Sequence, residues 1–256
     1  MTILKVIILL LIFTPSYGQS NLISINNWKS YPVPKNEDSL NKYNFDPNNW
    51  IVSIDKNEVY VANGIKNSVT IVLPFEIKPS KEEERLFRGK RNVLEVDDGF
   101  LISFYRGEFG GNLYWFSKDG SKKYEISYDR IKQFKIRYNK IYAIEGLAHL
   151  TMSEGSIIEV KKESGKWITI EYLKLPSAPE FFEIDGKNNF VIVTSSGLIS
   201  VDSKKKINNL IRAGIWDVYL NPSSLVIQNN NVFIGMRKAV FKYNLLTKKE
   251  EWLLPY

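Results

Sequence analysis

The chain has 256 residues, of which 44% are hydrophobic, 13% aromatic and 25% charged; this fits a folded globular protein and excludes a disordered, collagenous or coiled-coil one. Cysteine is absent and His149 is the one histidine, which excludes disulfides, thiolate metal sites, cysteine nucleophiles and multi-histidine metal cages. With 35 basic against 28 acidic residues the formal charge is +7, a modest excess of the kind that serves solubility.

Residues 1–18 read MTILKVIILLLIFTPSYG. Lys5 supplies a positive start, Val6 to Phe13 an apolar run, and Ser16 and Gly18 stand at positions −3 and −1 from a cut before Gln19. That layout predicts a secretory signal peptide. The run is too short for a transmembrane helix, which needs ~17–25 apolar residues. Removing Lys5 leaves 34 basic and 28 acidic residues, a net +6. No later stretch is long and apolar enough to span a bilayer. The expected product is exported, to the periplasm or beyond. Nucleic acid is excluded as a partner by that compartment, while weak electrostatic contact with anionic surfaces stays open.

Residues 19–49 form an N-terminal extension. Its segment NLISINNWKSYPVP resembles KKEEWLLPY at the other end of the chain. It reads either as a strand that pairs with the last repeat and closes a ring, or as a loosely bound arm.

From residue 50 onward one pattern recurs five times: a short alternating strand, a polar turn, then a β-branched and aromatic strand. The five are Ile51–Val61, Val93–Ser103, Phe134–Ile144, Phe182–Val193 and Leu225–Gly235. Lys56-Asn57, Asp98-Gly99, Asn139-Lys140, Asn188-Asn189 and Asn230-Asn231 supply turn chemistry at the joins. The second strands open at Val59, Phe100, Ile141, Phe190 and Val232, spaced 41, 41, 49 and 42 residues apart. A second hairpin follows each, its third strands beginning near Val69, Leu113, Ile157, Leu198 and Val240. Lysines at Lys78, Lys122, Lys166, Lys206 and Lys248 come next, in the last four repeats at or beside a polar turn, and then the fourth strands, such as Tyr124–Ser127 and Trp252–Leu254. An all-strand repeat near 42 residues predicts an all-β protein, a single β-propeller of about five four-stranded blades over residues 50–256, with a sixth if the N-terminal stretch contributes.

In a propeller the innermost strands line a channel, and the strand 2–3 loops and strand 4–1 connections share one face, where such folds usually bind ligands. Those loops are unequal in this chain. Repeats four and five use tight turns at Ser195-Ser196 and Arg237-Lys238, repeat two has YRGEFGGN, and repeat three has EGLAHLTMSEG. The candidates for a ligand site are Arg106, Glu108, Glu145, His149 and Arg237 from the 2–3 loops, with Trp216 and Asp217 from a 4–1 connection. Two arginines, an aromatic platform and carboxylates would suit a polar ligand with an anionic group. Taken singly, each also reads as a turn or interblade residue satisfied locally. His149, set between Leu147-Ala148 and Leu150, reads first as a packed histidine.

Other signals are weaker. Glu108–Gly111 carries two glycines but no following helix, so a nucleotide loop is excluded. KPSKEEERLFRGKR (78–91) reads as a solvated loop or helical turn. Asp55, Asp97 and Asp185 fall at strand 1–2 turns on the opposite face and serve those turns rather than a paired-carboxylate site. Lys122-Lys123, Lys161-Lys162, Lys204–Lys206 and Lys248-Lys249 form a basic rim on that face.

The repeat resembles the broad superfamily of NHL-, YVTN- and quinoprotein-like β-propellers, without their diagnostic blade motifs or the Trp-Asp ending of WD40 blades. EFGGNLYWFSKDG, IYAIEGLAHL and NPSSLVIQNNNVFIGMRKAV resemble segments of secreted bacterial proteins of this fold, over roughly residues 93–256. The resemblance implies a propeller and an exported bacterial protein. It implies no activity, so no site residue is carried over.

The expectation is a secreted propeller that binds a polar small molecule, glycan or protein through the 2–3 and 4–1 loop face, with no cofactor and no metal. The alternative is an exported hydrolase or lyase, with Glu145 or His149 as general base and Arg106 clamping an anionic group. A third reading is an assembly role through blade edges and the basic rim.

Overall fold

The computed structural model describes residues 22–35, 37–64, 73–212, 216 and 220–255. The expected signal peptide lies outside these residues.

Five antiparallel sheets follow one another along the described chain. Sheet 1 contains β1 (Ile23–Ser24), β3 (Trp50–Asp55) and β4 (Glu58–Asn63). Sheet 2 runs through β5 (Lys90–Val96), β6 (Gly99–Tyr105), β7 (Gly111–Ser117) and β8 (Lys123–Ser127). Sheet 3 is β9 (Ile131–Arg137), β10 (Lys140–His149), β11 (Met152–Glu163) and β12 (Lys166–Lys174). Sheet 4 is β13 (Pro179–Ile184), β14 (Phe190–Thr194), β15 (Leu198–Val201) and β16 (Ile207–Ile211). Sheet 5 holds β17 (Ser224–Gln228), β18 (Asn231–Gly235), β19 (Val240–Asn244), β20 (Glu250–Leu254) and, at its far edge, β2 (Lys29–Tyr31). A single helix, α1 (Glu37–Asn44), stands among the described residues between β2 and β3. The fold is an all-β propeller.

The turns form because their residues tolerate a left-handed backbone. Lys56 and Asn57 sit at φ 46° and 62°, and Asn229 and Asn230 at 48° and 62°, as two-residue hairpin turns require. In repeats two, three and five the turn lies one residue earlier than the sequence suggests, at Asp97-Asp98, Tyr138-Asn139 and Asn229-Asn230. In sheet 4 the Asp185 carboxylate instead accepts from the amides of Lys187 and Asn189.

Second strands carry unbroken apolar runs because they lie inside their sheet, with neighbouring structure over both faces. All five residues of β14 are buried, and so are the first six of β6. Facing sheets therefore share cores. Tyr142, Ile144 and Ile157 of sheet 3 pack with Phe182, Phe190 and Ile192 of sheet 4. Leu101 and Leu113 of sheet 2 meet Ala143, Ile158 and Trp167 of sheet 3. Val191 and Val193 of sheet 4 meet Ile234, Phe241 and Trp252 of sheet 5. The innermost strands pack in the order β3, β17, β13, β9, β5.

Two features depart from the simple repeat. Beside β4 stands β1, with Ile23 opposite Val61 and Ser24 opposite Tyr60, while the strand expected near Val69 lies outside the described residues. The other is the segment 78–91, which is not simply solvated. Phe87 is buried against Phe104, Tyr114 and Phe116, and Phe75 and Leu86 join it over the outer face of sheet 2. The end of that segment, Lys90-Arg91, is already strand β5.

The N-terminal segment touches both ends of the repeat array. While β1 pairs with β4, β2 pairs antiparallel with β20, placing Lys29, Ser30 and Tyr31 opposite Leu254, Leu253 and Trp252. Between them Ile25 and Trp28 are buried against Trp50, Val59, Phe233 and Leu253, and the Trp28 and Trp50 rings meet edge-on at 5.0 Å.

Candidate functional site

Aligned on the second-strand openings, the residues ten positions earlier include Asn49, Lys90 and Glu180. These sit where the innermost strands begin, at the end of the molecule that also carries the 2–3 loops. There they line a cavity of about 370 Å³ together with Tyr105 and Phe181. Lys132 and the chain around Asn221–Ser223 complete its wall, so every one of the five sheets or its leading connection contributes. This is the mouth of the central channel.

Two β-bulges shape its polar side. In β9 the register with β10 jumps from Gln133 opposite Ile144 to Ile131 opposite Glu145, leaving Lys132 unpaired. In β13 it jumps from Phe181 opposite Val193 to Pro179 opposite Thr194, leaving Glu180 unpaired. A bulge adds one residue and re-aims its side chain. The two re-aimed side chains meet: Lys132 Nζ lies 2.8 Å from Glu180 Oε2, with the lysine side chain only 9% exposed. The same ammonium lies 5.4 Å from the centre of the Tyr105 ring.

Lys90 stands beside this pair without a carboxylate of its own among the described residues. Its ammonium lies 5.3 Å from the Phe181 ring centre. Water reaches much of the side chain, yet the amine is crowded by protein, and that desolvation lowers its pKa. The positive charge of Lys132 lowers it further, and Glu180 opposes the shift. Two ammonium groups and one carboxylate leave the mouth with positive charge to spare. Flanked by aromatic rings, such a site can hold a small anion by charge-assisted hydrogen bonds.

The residues singled out from the sequence are mostly engaged elsewhere. Arg106 donates from Nη1 to the Leu86 carbonyl at 2.6 Å, bracing the 78–91 segment; burial first, and Arg85 second, lower its pKa. Arg237 donates to the Asn44 carbonyl at 2.8 Å and to Asn44 Oδ1 at 2.5 Å, so it caps the C-terminus of α1. The two arginines are thus bound to backbone rather than paired over a ligand. Trp216 is no surface platform. It is 1% exposed, packs edge-on against Phe241 at 5.5 Å, and donates its Nε1–H to the Thr194 carbonyl at 2.9 Å. Asp217 lies outside the described residues.

Glu108, in the 2–3 loop of sheet 2, and His149, at the end of β10, do come together, with Oε2 and Nε2 2.9 Å apart. The long loop expected over 145–155 is instead paired strand up to a two-residue turn at Leu150-Thr151. Glu145 accepts a hydrogen bond from Ser156, its cross-strand partner, and burial pushes its carboxyl pKa up despite that bond. Its neighbours Gly146 and Gly155 face each other so closely that a Cβ on either would come 2.4 Å from the opposite backbone. None of these residues lines the mouth. No group of three or more His, Asp or Glu side chains able to hold a metal ion occurs among the described residues.

The mouth residues carry one signal in the sequence, the shared ten-residue offset of Asn49, Lys90 and Glu180. It goes unread because charge at the start of a strand looks like ordinary solvated surface. The bulges that aim Lys132 and Glu180 leave no local sequence mark.

No protein-family model and no curated protein sequence matches this chain. Among solved structures, it is similar to a gluconolactonase from Xanthomonas campestris at 15% identity and TM-score 0.41, over 64% of this chain and 56% of that one. It is also similar to an extracellular domain from B. thetaiotaomicron at 11% identity and TM-score 0.46, over 91% of this chain and 29% of that one. The chain therefore spans about half of the first protein and under a third of the second.

Proposed function

We propose that this propeller is an exported binding protein that takes a small anionic ligand at the mouth of its central channel. The observation that supports this is the uncompensated charge there. Lys132 is neutralised by Glu180, while Lys90, beside them in a cavity of about 370 Å³, has no carboxylate among the described residues. Phe181 and Tyr105 offer apolar walls for the ligand's body. The leader-like residues 1–18 support export. Among the described residues no helix is long and apolar enough to cross a membrane.

A thermal-shift comparison of small carboxylates and phosphates with neutral analogues of the same size tests this reading. A ligand at 100 times its Kd stabilises the native state by ~2.7 kcal/mol, roughly 5–10 °C in Tm at this size. Stabilisation by the anions alone, lost in Lys90→Met, is expected. Equal response to neutral analogues, or an anion response that Lys90→Met leaves intact, overturns it.

A further inference from the structure

We propose that Lys90 is a carbonyl-capturing lysine, whose amine condenses at the channel mouth with the aldehyde or keto group of a small carboxylate-bearing carbonyl compound. The proposal rests on the reading that the mouth takes a small anion, and it adds the chemistry by which one class of anion is held.

The geometry separates the two mouth lysines into different roles. Lys132 is fixed by Glu180 at 2.8 Å and nearly buried, so its nitrogen is already engaged. Lys90 has neither a carboxylate nor a hydrogen-bond acceptor among the described residues, only the face of Phe181. The side chain as a whole is exposed and lines the cavity, so a ligand held in the mouth can reach it. A lysine becomes nucleophilic when it is desolvated or set beside another cation, because either favours the neutral amine. The second condition holds at Lys90 by position, since Lys132 lines the same cavity, with Glu180 as the opposing carboxylate and Tyr105 the remaining titratable wall; crowding of the amine by protein acts in the same direction.

The step balances without any oxidant or reductant. The lone pair of the neutral Lys90 amine attacks the carbonyl carbon, a C–N bond forms as the C=O π bond breaks, and one nitrogen proton passes to the oxygen, making a hydroxyl. The C–O bond then breaks, the hydroxyl leaves as water with the second nitrogen proton, and the nitrogen lone pair closes the C=N bond of the imine. Hydrolysis by the reverse path releases the ligand unchanged.

The other lysine-rich places offer nothing equivalent. On the opposite face Lys162 is held by Asp98 at 2.7 Å and Lys123 by Glu83 at 2.5 Å, and Lys205 lies on the exposed surface, over the Tyr172 ring that Arg137 also contacts, and lines neither of the two cavities described.

The test uses the whole chain with pyruvate and sodium cyanoborohydride, which reduces an imine to a stable secondary amine, followed by peptide mapping of every lysine. Thermal shift with lactate, which has the carboxylate but no carbonyl, runs in parallel. Labelling at Lys90 roughly tenfold above the median lysine is the expected result. Lactate stabilisation with Lys90 labelled no more than the surface lysines overturns this inference and leaves the anion reading standing. No stabilisation by lactate or pyruvate and no labelling at Lys90 overturns both. Labelling concentrated at Lys204–Lys206 also overturns it.

Discussion

At the scale of single residues, charged side chains in this protein mostly act as fasteners between elements. Arg137 is 4% exposed, lies 3.7 Å over the Phe190 ring, and donates to Tyr172 Oη at 3.0 Å and to the Asn188 carbonyl at 3.3 Å. It fills the seam between sheets 3 and 4 with a cation that aromatic faces can accept. Glu251 on β20 does similar work at the other end of the chain. Burial alone would raise its carboxyl pKa, but Lys242 at 3.0 Å, Lys249 at 3.1 Å and the Ser30 hydroxyl at 2.9 Å outweigh it. The net result is a value of about 2 against 4.5 for a free glutamate. Because the folded value lies below the unfolded one, its stabilisation is complete above the unfolded value and is lost as pH falls towards about 2. Glu251→Gln should therefore cost about 2 kcal/mol at neutral pH, allowing for partial solvent screening. Urea titrations should show that difference shrinking as the pH is lowered through this window. A pH-independent difference would mean that packing, not charge, holds Ser30 and β20 together.

At the scale of elements, the hairpins were the most legible part of the sequence. Alternation, Asn-rich turns and a near-constant spacing give β3–β4 and β17–β18 to within two residues of where they stand, while β9–β10 runs from Ile131 to His149, longer at both ends than the expected Phe134–Ile144. Interior runs such as Phe190–Thr194 could be read as strands because only a central strand tolerates so unbroken an apolar stretch. What could not be read is which elements meet at a distance. Trp216 looks exposed in a loop sequence, but it plugs the space between sheets 4 and 5, which is a fact of blade packing. Likewise β4 pairs with a two-residue strand that precedes it by some 35 residues, a pairing no local pattern announces.

The N-terminal segment is the element whose removal should matter most. Through β1 and β2 it hydrogen-bonds to the first and last sheets, and Trp28, 8% exposed, fills the seam between them. Trp28→Ala should destabilise the chain by about 3–5 kcal/mol, the usual range for a buried tryptophan. Denaturant unfolding reads this directly. A loss below about 1 kcal/mol, typical of a surface substitution, would show that residues 22–31 are a dispensable arm.

At the scale of the whole molecule, the propeller brings together residues that the chain keeps far apart. Lys90, Lys132 and Glu180 come from three sheets and meet because innermost strands begin at one end of a common axis. The sequence pattern pointed to the end of the molecule that carries the mouth, but to its rim, where Glu108 and His149 stand. The axis was harder to see, because its side chains are ordinary lysines and a glutamate whose placement depends on two bulges. Arg106, Arg237 and Trp216 look functional by type, yet the fold uses them to hold a segment, a helix end and a core. Positive charge in excess at a concave, aromatic-walled mouth is what the assembled molecule adds.

The most direct test is a crystal structure of the chain with whichever small carboxylate gives the largest thermal stabilisation. The carboxylate is expected at the channel mouth, within ~3 Å of the Lys90 or Lys132 ammonium and with the ligand's body against Phe181 or Tyr105. Electron density for the ligand at the Glu108–His149 rim, or in the cavity walled by Ser177, Thr194 and Arg212 on sheet 4, with the mouth unoccupied, would contradict it.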